Sequence, residues 1–310
     1  MKRSLFLVTL AAVVALAAAC QQNEQPVVVP QVLRVIATVL PVENLTLAVT
    51  QGAKNLRVEG LLPQTAGCPH DYSLTPGDMK KIEQADILVA VGLDYEPFLD
   101  HVRENRGPDF NILLAAADVK PLADAAAADE ATGQRRHVAF NDHPFVSPQQ
   151  AAIMARTIAR ELTKADTADE AILQANANRL AAALDAVQAD LAAFVATLPS
   201  KKVVAVSPIF GYLLRDSGLQ PAAVLIPHHD DTLSAGRLAK LTALLKKNHP
   251  ALILNEDQFD EKIARALGDE IGVRVITLNT QTSGRRGPDA FLAQARAMAA
   301  ALKEALRGGH

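Results

Sequence analysis

The chain has 310 residues, 49% of them hydrophobic and 21% charged, with few aromatics and no Trp. That balance excludes a disordered chain, and the length allows two compact lobes with a sizeable core. The formal charge of −3 gives no reason to expect nucleic acid or an anionic surface as a partner.

In chain order, "MKRS" is a basic start, and "LFLVTLAAVVALAAA" is an apolar run too short to suit a spanning helix. Cys20 follows small residues directly, and the segment resembles a bacterial lipoprotein signal. The alternative is an ordinary secretory signal with an incidental cysteine. On the lipoprotein reading, residues 1–19 are removed, Cys20 carries the lipid, and residues 20–31 form a tether. Losing Lys2 and Arg3 takes the formal charge to −5. Cys68 is then the only thiol in the folded part, so no internal disulfide can form.

Short apolar, β-rich runs at 32–40, 56–62, 86–93 and 110–117 alternate with helix-period segments near 42–51, 76–85 and 96–105. Strands that are apolar throughout predict a parallel sheet covered on both faces. Residues 118–136 are Ala/Asp-rich without a strand signal and read as a loop. Ser147-Pro148 is a cap followed by proline in the first turn of a helix. A second helix is predicted over 168–198, with Leu180, Leu184, Val187, Leu191, Phe194 and Leu198 as its apolar stripe. At the standard rise it spans ~45 Å.

Alternation resumes with strands at 202–207, 222–227, 251–256 and 273–279, and helices near 209–216, 234–247, 260–270 and 288–307. The expected fold is α/β: an N-terminal lobe (32–166), a rigid linking helix (167–199) and a C-terminal lobe (200–310). Ligands of open α/β sheets bind beyond the carboxyl ends of the strands, so those ends should face each other across a cleft. His70 follows the strand at 56–62, and His143 lies in "FNDHPFVSP" before a capped helix. Ser207, Glu256 and Asn279 end strands; His228, His229 and Asp230 follow another. Two imidazoles on loops of one lobe can converge on one Zn²⁺ or Mn²⁺ ion. Each histidine taken alone also fits a solvated loop residue. His101, His137, His249 and His310 read as surface residues.

"HDYSLTPGDMKKIEQADILVAVGLDYEPFL" (70–99) resembles the first signature of the zinc and manganese solute-binding proteins of ABC transporters. "NDHPFVSPQQAAIMARTIARELTKAD" (141–166), "SPIFGYLLRDSGL" (207–219) and "EDQFDEKIARALGDEIGVRVITLN" (256–279) are similar to the later ones, in order. The resemblance implies two lobes on a backbone helix. It also implies a monomer in the periplasm or at the cell surface, tethered to the membrane and serving a membrane permease. His70 and His143 fall on its ligand positions. Ser207 stands where that family places a histidine or glutamate, and Asn279 where it usually places an aspartate. His70, His143, Ser207 and Asn279 together carry no negative charge, and neutral oxygens are poor zinc ligands beside carboxylate or thiolate.

Three accounts of the ligand set stay open. In one, His228 or His229 with Asp230 or Glu256 restores a nitrogen-and-carboxylate shell; "PHHDD" reads equally well as a charged turn. In another, Cys68 supplies a thiolate. In the third, the cleft takes a metal chelate or a small organic molecule. Within the loop before the helix at 76–85, Thr75-Pro76 and Asp78 read as the helix start, and Tyr72 as a packing residue. Other function classes are a metal-dependent hydrolase, with Glu256 as base, and an adhesin or structural lipoprotein. The chain has no HExxH, G-x-S-x-G, P-loop or G-x-G-x-x-G, so no enzyme is expected.

Overall fold

The computed structural model describes residues 32–63, 69–123, 140–227 and 234–308. The N-terminal lobe holds a four-stranded parallel sheet. Its strands are β1 (Leu33–Ala37), β2 (Leu56–Gly60), β3 (Ile87–Ala90) and β4 (Asn111–Leu114), in the order β2-β1-β3-β4. Helices α1 (Leu40–Val49), α2 (Pro76–Glu83) and α3 (Leu99–Arg106) connect them. The inner strand β3 is buried at every residue, as a sheet covered on both faces requires. The run at 32–40 is shorter as a strand than its composition suggests. Val39 is already the extended residue before α1, whose first turn carries Pro41, where a missing N–H costs nothing.

A short antiparallel pair, β5 (Leu122–Ala123) and β6 (Phe140–Asn141), follows. β5 falls inside the stretch read as loop; two residues are too few to leave a periodic signal. Helix α4 (Pro148–Ala165) is capped by the Ser147 hydroxyl, which accepts from the Gln150 N–H. Next comes the 27-residue α5 (Glu170–Ala196), ~40 Å long at the standard rise.

The C-terminal lobe repeats the plan with a second four-stranded parallel sheet. Its strands are β7 (Lys202–Ala205), β8 (Gln220–Val224), β9 (Leu252–Glu256) and β10 (Val275–Leu278), in the order β10-β9-β7-β8. Helices α6 (Gly211–Ser217), α7 (Ala235–Asn248), α8 (Lys262–Ile271) and α9 (Ala290–Arg307) flank it. Pro221 lies on the edge strand β8, the place where a residue without an N–H is tolerated, and the register slips between Val203 and Val204.

Side-chain alternation splits this second sheet between two cores. Val203, Ala205, Leu252 and Leu254 join the large core that also contains the N-terminal sheet and α5. Val204, Val206 and Ile253 instead meet Leu245, Ala264 and Leu267 from α7 and α8. Helix α5 buries Leu173, Ala177, Leu180, Leu184, Leu191 and Val195. Val187, Phe194 and Leu198, expected in its stripe, are only half-buried against the core's margin. The polar Asn176 is buried on the inner face because its amide donates to the carbonyls of Val49 (2.9 Å), the last residue of α1, and Gln51 (2.8 Å), just beyond it. Among the described residues no helix is long and apolar enough to cross a membrane.

Candidate functional site

Each sheet has a switch point where the connections leave in opposite directions: between β1 and β3 in one lobe, between β7 and β9 in the other. A buried hydroxyl–carboxyl pair marks both. In the N-terminal lobe, the Thr38 hydroxyl donates to Glu96 Oε1 at 2.6 Å. The Val91 and Gly92 N–H groups donate to the same carboxyl at 2.8 and 3.1 Å. In the C-terminal lobe, the Ser207 hydroxyl donates to Glu256 Oε1 at 2.5 Å, both residues being buried. Burial dominates at Glu96 and outweighs its hydrogen bonds, so its pKa is pushed up to about 7.

The Glu96 carboxyl closes a turn in which Gly92, Leu93 and Asp94 all have φ between 57° and 85°. Two of these are not glycine, so the turn stores strain. It delivers the buried Tyr95 edge-on to three rings: His70, His143 and Phe145, each with centroids 5.2 Å away.

His70 sits on a 3₁₀ turn, Pro69–Asp71, after β2. The helix start that follows is a capping box. Thr75 Oγ1 accepts from the Asp78 N–H, while Asp78 Oδ2 accepts from the Thr75 N–H. The same Asp78 oxygen takes the Thr75 and Tyr72 hydroxyls. Burial resists ionisation of Asp78, but these bonds overcome it and hold its carboxyl below the usual range. Tyr72 is therefore an anchor of this loop.

His143 follows β6 and precedes a second 3₁₀ turn, Pro144–Val146. Its N–H donates to Asn141 Oδ1 at 3.0 Å, and the Asn141 amide donates across to the Pro208 carbonyl at 2.7 Å. Pro208 adjoins Ser207, so this bond links the two lobes beside the Ser207–Glu256 pair. Gly211 makes the approach possible: a Cβ there would lie 2.8 Å from Asn141 Nδ2. Asp216 adds a second link by accepting from Ser147 (2.6 Å) and Gln150 (2.7 Å).

The two histidines come together, with ring centroids 5.8 Å apart. Asp142 lies between them: Oδ1 is 2.6 Å from His143 Nδ1, and Oδ2 contacts His70 Nε2 directly. Burial acts first on Asp142 and opposes its charge, but the two imidazoles overcome it and hold the carboxyl far below the usual range. Among the described residues, no three or more His, Cys, Asp and Glu side chains form a ready metal-holding group.

Asp142, Tyr95, Glu96 and Thr38 were not identified from sequence. The signal for Asp142 is an acid immediately preceding a candidate ligand; the other three carry none. Asn279 is taken up by its own loop and by Gln294 of α9. Its amide donates to Ser283, and its oxygen accepts from the Gln281 N–H (2.9 Å) and Gln294 Nε2 (2.8 Å). The same loop then clasps α1. Arg286 pairs with the buried Glu43 at 2.9 Å, and Asn44 bonds the Arg285 carbonyl and the Gly287 N–H. Burial raises the Glu43 pKa, with Arg286 opposing. His101 is exposed on α3, and exposed His249 ends α7 just before the amino end of β9. Cys20, Cys68, His137, His228, His229, Asp230 and His310 lie outside the described residues.

Comparison with known proteins agrees with this architecture. Residues 35–305 match the family model described as "ZnuA: Zinc-uptake complex component A periplasmic". The "High-affinity zinc uptake system protein ZnuA" of Brucella abortus (strain 2308) is 23% identical over 308 residues, covering 88% of this chain and 91% of its own. The Yersinia pestis protein of the same name is 25% identical over 268 residues, covering 81% and 83%. Among solved structures, the solute-binding protein FpvC of P. aeruginosa in complex with Ni²⁺ superposes with a TM-score of 0.76. It is 25% identical and covers 90% of this chain and 98% of its own. With a family match over nearly all of the described fold, this chain belongs to the zinc-uptake complex component A periplasmic family.

Proposed function

We propose that this protein is the solute-binding component of an ABC importer, a carrier and not an enzyme. It takes a divalent metal ion in the cleft between its lobes, zinc foremost and manganese as the alternative, and hands it to a membrane permease. The observation that carries this reading is the pair of imidazoles, half-buried His70 and buried His143, gathered around Asp142. Imidazole nitrogen suits such ions, and a neighbouring carboxylate raises its basicity. Family membership and relatives named for zinc uptake support it.

On this reading the C-terminal lobe contributes Glu256, with Ser207 as its hydrogen-bond partner, and His228, His229 or Asp230 adds a further donor. Residues 1–19 are a signal peptide, and Cys20 is acylated. Residues 20–31 tether a monomer in the periplasm or at the cell surface. Elemental analysis of the protein as purified, followed by zinc titration calorimetry, tests the metal assignment. Wild type is expected to bind one zinc ion, and His70→Ala and His143→Ala to lose it; a wild-type protein without zinc heat refutes it. Asn279 favours a second reading, since its amide and its oxygen are both spent on its own loop and on α9. A C-terminal lobe with that position spent fits a metal chelate or a small organic ligand, which the same titration separates from a bare ion.

A further inference from the structure

His143 belongs by sequence to the first half of the chain, yet the loop that carries it is seated on the second. At the near end of that loop, the Asn141 amide donates to the Pro208 carbonyl at 2.7 Å, and its oxygen accepts the His143 N–H at 3.0 Å. Leu122 pairs with Asn141 across β5 and β6, and its N–H donates to the Tyr212 hydroxyl at 3.1 Å. At the far end, Asp216 Oδ2 accepts from the Ser147 hydroxyl (2.6 Å) and the Gln150 side-chain amide (2.7 Å). The Asp216 side chain is only 5% exposed, and Arg215 Nε holds its other oxygen at 2.7 Å. Residues 208–216 therefore bracket residues 141–147 from both sides.

We propose that Asp216 is a positioning residue for His143: from the C-terminal lobe it fixes the loop, and with it the place of this imidazole in the cation site. This rests on the cation reading above. Hydrogen bonds to a carboxylate are roughly twice as strong as neutral ones, so the Asp216 end is the firmer of the two. Ser147 also caps α4, so its hydroxyl ties the helix start and Asp216 together. Between Ser147 and His143 lies only the 3₁₀ turn Pro144–Val146. Its proline and the bond from the Ser147 N–H to the Pro144 carbonyl (3.1 Å) leave little slack, so a shift at Ser147 reaches His143. A metal–ligand distance tolerates only about 0.2 Å of error, so a loosened loop costs affinity.

Zinc titration calorimetry and amide hydrogen exchange on the full chain test this, with Leu184→Ala as a destabilised control remote from the loop. Folded Asp216→Ala is expected to bind zinc ~10-fold more weakly. In the metal-free protein its exchange protection is expected to fall ~10–100-fold over residues 143–151, with residues 70–78 unchanged. Asp216→Asn keeps an oxygen that accepts from Ser147 and Gln150, so it restores most of both. Gln150→Met removes one of the two bonds at similar volume; it gives the same pattern in smaller measure and carries the test if Asp216→Ala does not fold. Zinc affinity in folded Asp216→Ala that matches wild type, or falls no further than in Leu184→Ala, overturns the proposal. Protection lost evenly along the chain also overturns it. Failure of the cation reading looks different: wild type gives no zinc heat, while Asp216→Ala still loosens 143–151 alone.

Discussion

Glu96 offers the sharpest test of the electrostatics at the N-terminal switch point. Its carboxyl has an ordinary pKa of 4.5 and is pushed up to about 7 in the folded protein by burial. Between those values the folded state holds a proton that the unfolded state has released. Stability therefore falls as pH rises through that window and levels off above it. Evaluating both titrations at pH 5 and pH 8 gives a loss of about 2.5 kcal/mol from this one group. Glu96→Gln has no such proton. Its oxygen still accepts from Thr38 and Val91, while its amide faces the Gly92 N–H, an offset that does not vary with pH. Urea unfolding of both proteins at the two pH values isolates the contribution of Glu96, because groups common to both proteins cancel in the difference. Relative to wild type, the variant should gain about 2.5 kcal/mol between pH 5 and pH 8. Parallel pH profiles for the two proteins would refute the assignment.

Arg286→Ala strips the buried Glu43 of its partner. With the arginine side chain 43% exposed, solvent screening lowers the cost to about 1–3 kcal/mol. The loss in urea midpoint should be larger at pH 8 than at pH 5, because Glu43 can take up a proton at the lower pH; the reverse order would contradict the pairing. Leu184→Ala, in the inner face of α5, should cost about 2–5 kcal/mol. Calorimetry should still show a single transition, and two separated transitions would refute a core shared between the lobes. Ligand binding should change the radius of gyration in small-angle scattering only slightly, since α5 and the clasps at Glu43 and Asp216 resist opening. A strong contraction would show that the lobes swing freely.

Much of the fold was legible because strands buried on both faces leave unbroken apolar runs, such as Ile87–Ala90 and Leu252–Leu254 at the start of β9. Their ends were not. Thr38 and Val39 have β-type side chains yet already belong to the turn into α1, where hydrogen bonding outranks propensity. In α5 the spacing found Leu180, Leu184 and Leu191 but not Leu173, Ala177 or Val195, because small and early residues contribute little to an apolar stripe. At the site, strand-end position picked out His70 and His143. Asp142 escaped notice because adjacency in sequence cannot show that its second oxygen reaches a histidine 72 positions upstream. Asn279 reads as a cleft donor from its place at a strand end, yet its hydrogen bonds bind its own loop together.

The large core runs unbroken from the first sheet, through α5, to one face of the second. The C-terminal half closes only one face of its sheet by itself, under α7 and α8, and the other face is completed by the first half. Fragments made by cutting the turn between α4 and α5 should be insoluble apart and recover only when produced together. Chimaeras assembled from halves of different relatives would inherit mismatched seams, so cargo preference in this scaffold is better exchanged by grafting the strand-end loops than by swapping lobes.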